Sequence, residues 1–269
     1  MITLAALSVA YADGRRALDD LDLSIAPGER VALIGPSGAG KTTLLRVIGA
    51  SLRPTAGQLQ LDGVDPWALG SGPLQALRAR IGKMHQAPPI PPRQRVITAV
   101  LAGRLGQWPL WRAVASLVYP LDIAGTRAVL EPLGLAERLF DRCDQLSGGQ
   151  LQRVALARLF YQKPEIVLAD EPVSALDPAL ARSVAVALNE DAKRRDVTLI
   201  ASLHAVDLAL SEFSRVIGLR EGRIVFDRPA AQVLTADIDA LYAGASHAAA
   251  HDTPDQHVPS AKPRLTRCA

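Results

Sequence analysis

Gly35-Pro36-Ser37-Gly38-Ala39-Gly40-Lys41-Thr42 decides how this chain is read. The run follows the pattern Gly, four residues, Gly-Lys-Thr, which cradles phosphates. A triphosphate needs many donors close to its oxygens. Glycines let the backbone approach, and the amides that open a helix point at an anion. Lys41 is spaced to reach the β- and γ-phosphates and Thr42 to hold a Mg²⁺ ion, with Thr43 beside them as a further nucleotide-binding candidate. With glycine at ordinary abundance, a chance match in a chain of this length has a probability of about 1%. The flanks separate a phosphate loop from a mere glycine turn. Arg30-Val31-Ala32-Leu33-Ile34 is a short apolar run that reads as a buried strand. From Lys41 onward, Leu44, Leu45, Val47 and Ile48 share one helical face, and Gly49 and Pro54 help end it.

Outward from that unit, residues 2–9 and 21–26 alternate apolar and polar positions, which predicts half-buried antiparallel strands; 58–63 alternates again. Residues 165–170 and 197–202 are further buried-strand candidates, each followed by a helix-like segment. Strand–helix alternation of this kind implies a parallel sheet with crossover helices, an α/β class. Residues 74–162 read as mainly helical, interrupted by Pro88-Pro89-Ile90-Pro91-Pro92. Residues 216–219 and 223–226 read as a closing hairpin. After about Ala243 large apolar residues become scarce and Pro254, Pro259 and Pro263 appear, which predicts a disordered tail over 244–269.

Composition narrows the function classes. The chain has 269 residues, 49% hydrophobic and 21% charged, an ordinary globular balance able to bury a core. Its longest stretch without Asp, Glu, Lys or Arg is 12 residues, too short for a transmembrane helix. Residues 1–15 lack the basic start of a secretory signal. Two distant cysteines, Cys143 and Cys268, read as free thiols in a reducing compartment. A net charge of +3 with 4% aromatics and scattered Lys and Arg argues against a nucleic-acid partner. The densest basic cluster, Lys193-Arg194-Arg195, reads as a solvated helix end.

Asp170-Glu171-Pro172 closes the apolar run 166–169. Carboxylates at the C-terminal end of a central parallel strand emerge beside a phosphate loop. Asp170 there orients Mg²⁺, and Glu171 orients and deprotonates the attacking water. Leu146-Ser147-Gly148-Gly149-Gln150 precedes an amphipathic segment with Leu151, Val154, Ala155 and Leu159 on one face. Ser147 stands where an N-cap belongs, and the paired glycines make a second anion site at a helix start.

Together these motifs resemble the ATP-binding subunit of ABC transporters over about residues 2–243. The resemblance implies a P-loop NTPase with a RecA-like core, an antiparallel β-subdomain near the N-terminus and a helical subdomain of about 87–160. It assigns Ser147, Gly148, Gly149 and Gln150 to the signature that contacts the ATP of a second copy. Ser174-Ala175-Leu176-Asp177 resembles the D-loop, with Asp177 facing the partner site. His204 resembles the switch histidine. Gln86 resembles the Q-loop glutamine, which meets nucleotide and metal. Tyr11 resembles the aromatic that stacks on adenine. Read singly, each of these four residues is an ordinary core, loop or capping residue; their order and joint presence carry the assignment.

Val100-Leu101-Ala102-Gly103-Arg104-Leu105-Gly106, Pro109-Leu110-Trp111-Arg112 and Leu203-His204-Ala205-Val206-Asp207-Leu208-Ala209 resemble the phosphonate-importer branch of that family. The resemblance implies membrane permease subunits as partners, indirectly a periplasmic binding protein, and a peripheral position on the cytoplasmic face of the inner membrane. His85, Ala87-Pro88-Pro89-Ile90 and Arg228 depart from that branch's pattern, the first two in the region that meets the permease. Soluble cassette proteins usually carry two cassettes or long coiled coils, and a GTPase needs an Asn-Lys-x-Asp element; neither is present. In the tail, His247 and His251 stand at i, i+4 with His257 beyond, a weak metal pattern without a matching carboxylate or cysteine.

Overall fold

The computed structural model describes residues 1–173 and 176–243, with Leu117 and Val118 described by their backbone alone. The chain opens with the antiparallel hairpin β1 (Ile2–Ala10) and β2 (Arg16–Ile25), passes through β3 (Arg30–Ile34) and α1 (Lys41–Ile48), and returns as β4 (Ala56–Leu61) to pair with β1. The result is a three-stranded antiparallel sheet in the order β2-β1-β4. Then come α2 (Ser71–Ala79), β5 (Ile81–Met84), α3 (Val96–Leu101), α4 (Leu110–Val118), α5 (Ile123–Leu130) and α6 (Gly148–Gln162). The second half alternates β6 (Ile166–Asp170), α7 (Pro178–Arg195), β7 (Thr198–Ser202) and α8 (Val206–Glu212). It closes with β8 (Arg215–Arg220), β9 (Arg223–Pro229) and α9 (Thr235–Tyr242).

The central sheet runs β5-β6-β7-β3-β8-β9, parallel except for the antiparallel closing pair β8–β9. Its strands are apolar on both faces, as a covered parallel sheet requires. Val31 and Leu33 of β3, Leu168 of β6 and Ile200 of β7 face the antiparallel sheet and α1. Their neighbours Ala32, Ile34, Val167, Ala169, Leu199 and Ala201 face the opposite way, toward α7 and α8. A third cluster, with Val96, Ile97, Val100, Leu130, Val154 and Tyr161 among its members, is built by α3, α5 and α6 and holds the buried free thiol of Cys143.

Two expectations need correction. The stretch 74–162 is not helical throughout: Ile81–Met84 is β5, the edge strand of the central sheet, paired with Ile166–Ala169. Four residues are too few to display a period. Its strand state comes from β6 beside it and from Gly82, where a Cβ would meet Leu159 and Pro164 at 2.4 and 2.6 Å. Nor is the basic end of α7 simply solvated. Arg194 and Arg195 both pair with the buried Asp191, and Arg195 also donates to the Pro164 carbonyl at 3.1 Å. Arg228 pairs with Asp237 at 3.3 Å. The tail, with His247, His251, His257 and Cys268, and Ser174-Ala175 lie outside the described residues.

Candidate nucleotide site

The C-terminal edge of the central sheet brings the site together. β3 ends at Ile34, and the loop 35–40 leads directly into α1. Gly35 has φ 148°, and a Cβ there would lie 2.0 Å from the Leu219 carbonyl oxygen. Gly40, at φ 106°, would meet the Ala17 carbonyl at 2.5 Å. Only glycine fits either place. The loop thus lies flat against β8 and the β1–β2 hairpin with its amides at the start of α1.

Lys41 is buried, and its Nζ donates to the carbonyls of Gly35 at 2.7 Å and Pro36 at 3.1 Å. Burial pulls the ammonium below its ordinary value, while the charges of Glu171 and Asp170 pull it back up. The lysine is thereby fixed inside the loop whose phosphates it would neutralise. A cleft of about 320 Å³ runs over the loop, lined by Tyr11, Arg15, Arg16, Ala17, residues 37–43 and Glu171.

Register places the acids. Asp170 pairs with Ser202 across β6 and β7, and β7 pairs with β3. Thr42 Oγ1 donates to Asp170 Oδ1 at 3.0 Å, and Ser202 Oγ donates to the same oxygen at 2.9 Å. The Glu171 amide donates to Ser202 Oγ at 2.9 Å. Glu171 adopts φ 47°, which turns the chain sharply off the strand end. Its Oε1 lies 2.6 Å from His204 Nε2. One polar chain therefore runs Thr42–Asp170–Ser202–Glu171–His204. Thr42 and Asp170 supply the hard oxygens that a Mg²⁺ ion takes, beside the phosphate loop, so the residues present fit that ion.

Tyr11 stands in the cleft wall, its hydroxyl 3.0 Å from Thr43 Oγ1 and the Arg15 guanidinium carbon 5.4 Å from its ring centroid. Gln86 does not join it. It is exposed, two residues beyond the end of β5, and does not line the cleft. Ser147 caps α6, accepting from the Gln150 amide at 3.3 Å while Gln150 Oε1 accepts from the Ser147 amide at 2.9 Å. Gly148 meets nothing within 4 Å of a built Cβ, while Gly149 would meet Leu180 at 2.7 Å, so that helix start is open on the Gly148 side. None of 147–150 lines the cleft of their own chain. Asp177 caps α7, accepting from the Leu180 amide at 3.0 Å.

The sequence reading missed Ser202 and the hairpin residues Arg15, Arg16 and Ala17. A serine closing an otherwise apolar buried strand was the signal for the first. For the others it was the basic pair just after Tyr11.

A phosphate loop at a parallel-sheet edge, a strand-end carboxylate pair and a capped glycine helix start on a separate helical layer define a P-loop ATPase cassette. Comparison with known proteins agrees. The family model described as ABC transporter matches residues 18–174. The chain is 63% identical over 242 residues to the phosphonates import ATP-binding protein PhnC 2 of Pseudomonas aeruginosa strain UCBPP-PA14, covering 90% of this chain and 91% of that one. It is 58% identical over 243 residues to PhnC 1 of Cupriavidus necator strain H16, covering 90% and 87%. Among solved structures it is similar to the dimeric form of MJ0796, a bacterial ABC transporter cassette, with TM-score 0.74 and 28% identity over 86% of this chain and 99% of that one. The chain belongs to the ABC transporter family, as an ATP-binding subunit on the branch formed by these phosphonates import proteins. No helix among the described residues is long and apolar enough to cross a membrane.

Proposed function

We propose that this chain is the ATP-hydrolysing subunit of an importer for phosphonates or a related phosphorus oxyanion. The observation that carries the chemistry is the Glu171–His204 pair at 2.6 Å, at the end of a strand whose neighbouring residue Asp170 is bonded to the phosphate-loop Thr42. Residues 1–243 act as one ATP-binding unit with 87–160 as its helical subdomain.

Lys41 Nζ and the amides of residues 38–42 hold the β- and γ-phosphates. Thr42 and Asp170 would hold Mg²⁺, whose charge neutralises the phosphate oxygens when bound. Glu171 takes a proton from a water on its carboxylate as that water's oxygen attacks the γ-phosphorus. The bond to the bridging oxygen breaks, and ADP and phosphate leave. His204 holds the Glu171 carboxylate in position through Oε1. Two copies meet head to tail, so that Ser147, Gly148 and Gly149 of one close over the ATP of the other. Release of phosphate opens that dimer, and permease subunits convert closure into alternating access, supplied by a periplasmic binding protein. The chain sits peripherally on the cytoplasmic face of the membrane. Growth of a deletion strain on a phosphonate as sole phosphorus source tests the reading. Growth restored by the parent chain and not by Lys41→Ala supports it; growth without any copy contradicts it.

A further inference from the structure

Tyr11-Ala12-Asp13-Gly14-Arg15 joins β1 to β2, and Arg15 and Arg16 both stand in the wall of the nucleotide cleft. The connection is tightly folded. The Gly14 amide donates to the Tyr11 carbonyl at 2.9 Å, the Tyr11 amide to the Arg15 carbonyl at 3.0 Å, and the Arg15 amide to Asp13 Oδ1 at 3.0 Å. Gly14 takes φ 82°, the left-handed conformation that such a turn requires. Tyr11 and Arg15 are thereby set against each other, with the Arg15 guanidinium carbon 5.4 Å from the ring centroid.

The two arginines are not equivalent. Arg16 Nη1 donates to Asp19 at 2.9 Å, and Arg223 pairs with the same carboxylate, so Arg16 is held on the hairpin. Arg15 is exposed and forms no ion pair among the described residues; its guanidinium meets the Tyr11 ring instead. The carboxylate in the cleft lining, Glu171, meets His204 at 2.6 Å. The ring is fixed from its other end. Its hydroxyl lies 3.0 Å from Oγ1 of the buried Thr43, on the helix that the phosphate loop opens. The cleft therefore holds an anchored aromatic face under a planar cation on a long, unpaired side chain, with Lys41 and Thr42 in the same lining.

A nucleoside triphosphate with its phosphates on the loop must lay its base elsewhere in this cleft, and Tyr11 is the aromatic face that the lining offers. A guanidinium is planar, weakly hydrated and stacks on π faces. Two faces that both touch one base stand about 7 Å apart, twice a van der Waals contact. From 5.4 Å the guanidinium has to lift by roughly 2 Å, which an exposed side chain without an ion pair can do. We propose that Arg15 is the second jaw of a base clamp, holding a purine between its guanidinium and the Tyr11 ring and so favouring purine over pyrimidine nucleotides. The larger purine face fills the clamp better than a pyrimidine does. The proposal rests on the nucleotide reading above and adds to it a residue that acts on the base, where Lys41 and the loop amides act on the phosphates.

Isothermal titration of the purified full chain with ATP, UTP and inorganic tripolyphosphate tests it. Arg15→Ala should weaken ATP binding about three- to tenfold, the range of a partly exposed cation–π contact, and should lower the preference for ATP over UTP. Tripolyphosphate has no base; it should bind within about twofold of the parent and so reports that the loop is folded. Arg15→Lys keeps the charge without the planar face and should recover only part of the loss. In a Tyr11→Ala background Arg15→Ala should cost less than about twofold, because the base has lost the face it is pressed against. Unchanged ATP affinity in Arg15→Ala, with a parent that binds ATP, would overturn the clamp and leave the nucleotide reading standing. Equal weakening of ATP and tripolyphosphate would make Arg15 a phosphate ligand, and full recovery by Arg15→Lys would make it a bare charge; either overturns the clamp. A parent that binds neither ATP nor tripolyphosphate would remove the nucleotide reading and the clamp with it.

Discussion

Glu171→Gln isolates the proton transfer from everything else the site does. The side chain changes by one atom, and its amide carbonyl can still meet His204 at the 2.6 Å spacing that Oε1 holds now. The backbone around it is anchored independently, through its own amide on Ser202 Oγ at 2.9 Å, so the sharp turn off β6 should persist. Lys41 and the loop amides are untouched, so ATP binding should remain. What is lost is the base, and removing a general base costs about 10²–10⁴ in rate, or about 2.7–5.5 kcal/mol of barrier. Phosphate release under single-turnover conditions measures the rate, and size-exclusion chromatography with ATP reports a dimer that no longer opens. Hydrolysis within about twofold of the parent, with binding intact, would refute the assignment of the base.

Ser202→Ala removes the hydroxyl that links Asp170 to the Glu171 amide. A hydrogen bond to a charged group is worth about 1.5–3 kcal/mol, and kcat should fall while the dissociation constant for ATP moves little. Gly35→Ala drives a Cβ to 2.0 Å from the Leu219 carbonyl at a φ of 148°; ATP binding should collapse and the thermal midpoint should drop. Tyr161, buried in the helical layer with its hydroxyl donating to Asp122 at 2.8 Å, has its phenol pushed up from 10.0 to about 12, by burial first and Asp122 second. The folded chain therefore holds that proton more tightly than the unfolded one. The stabilisation is complete below pH 10 and is lost as pH climbs toward 12. Urea midpoints across that window should fall more steeply for the parent than for Tyr161→Phe.

Much of the site was legible because its chemistry is local in sequence. The phosphate loop and the helix it opens lie within one short run, and Asp170-Glu171 stand at the end of a strand whose apolar character is plain. Ser147 and Gln150 cap α6 reciprocally, as their spacing of three implies. What escaped is what only pairing creates. β5 is four residues long and owes its state to β6. Ser202 matters because strand register sets it opposite Asp170, a relation that no spacing reveals. The same holds for Arg15–Ala17, which border the cleft because the first hairpin folds over the loop, with Gly222 and Gly40 both against the Ala17 carbonyl. Gln86 lies two residues beyond the end of β5, exposed and outside the cleft lining, a placement that motif order alone does not reveal.

The central claim is that each ATP is closed between the phosphate loop of one copy and Ser147-Gly148-Gly149 of another. Mixing two inactive variants tests it most directly. Ser147→Arg keeps its own loop and should bind ATP as the parent does, but its bulky cation blocks the helix start that a partner's γ-phosphate must meet. Lys41→Ala keeps its signature and should lose ATP binding. Neither should hydrolyse ATP alone, while a mixed dimer has one complete site. The account predicts that ATPase activity returns on mixing and tracks the fraction of mixed dimers. No activity at any ratio, or loss of ATP binding by Ser147→Arg as a monomer, would contradict it.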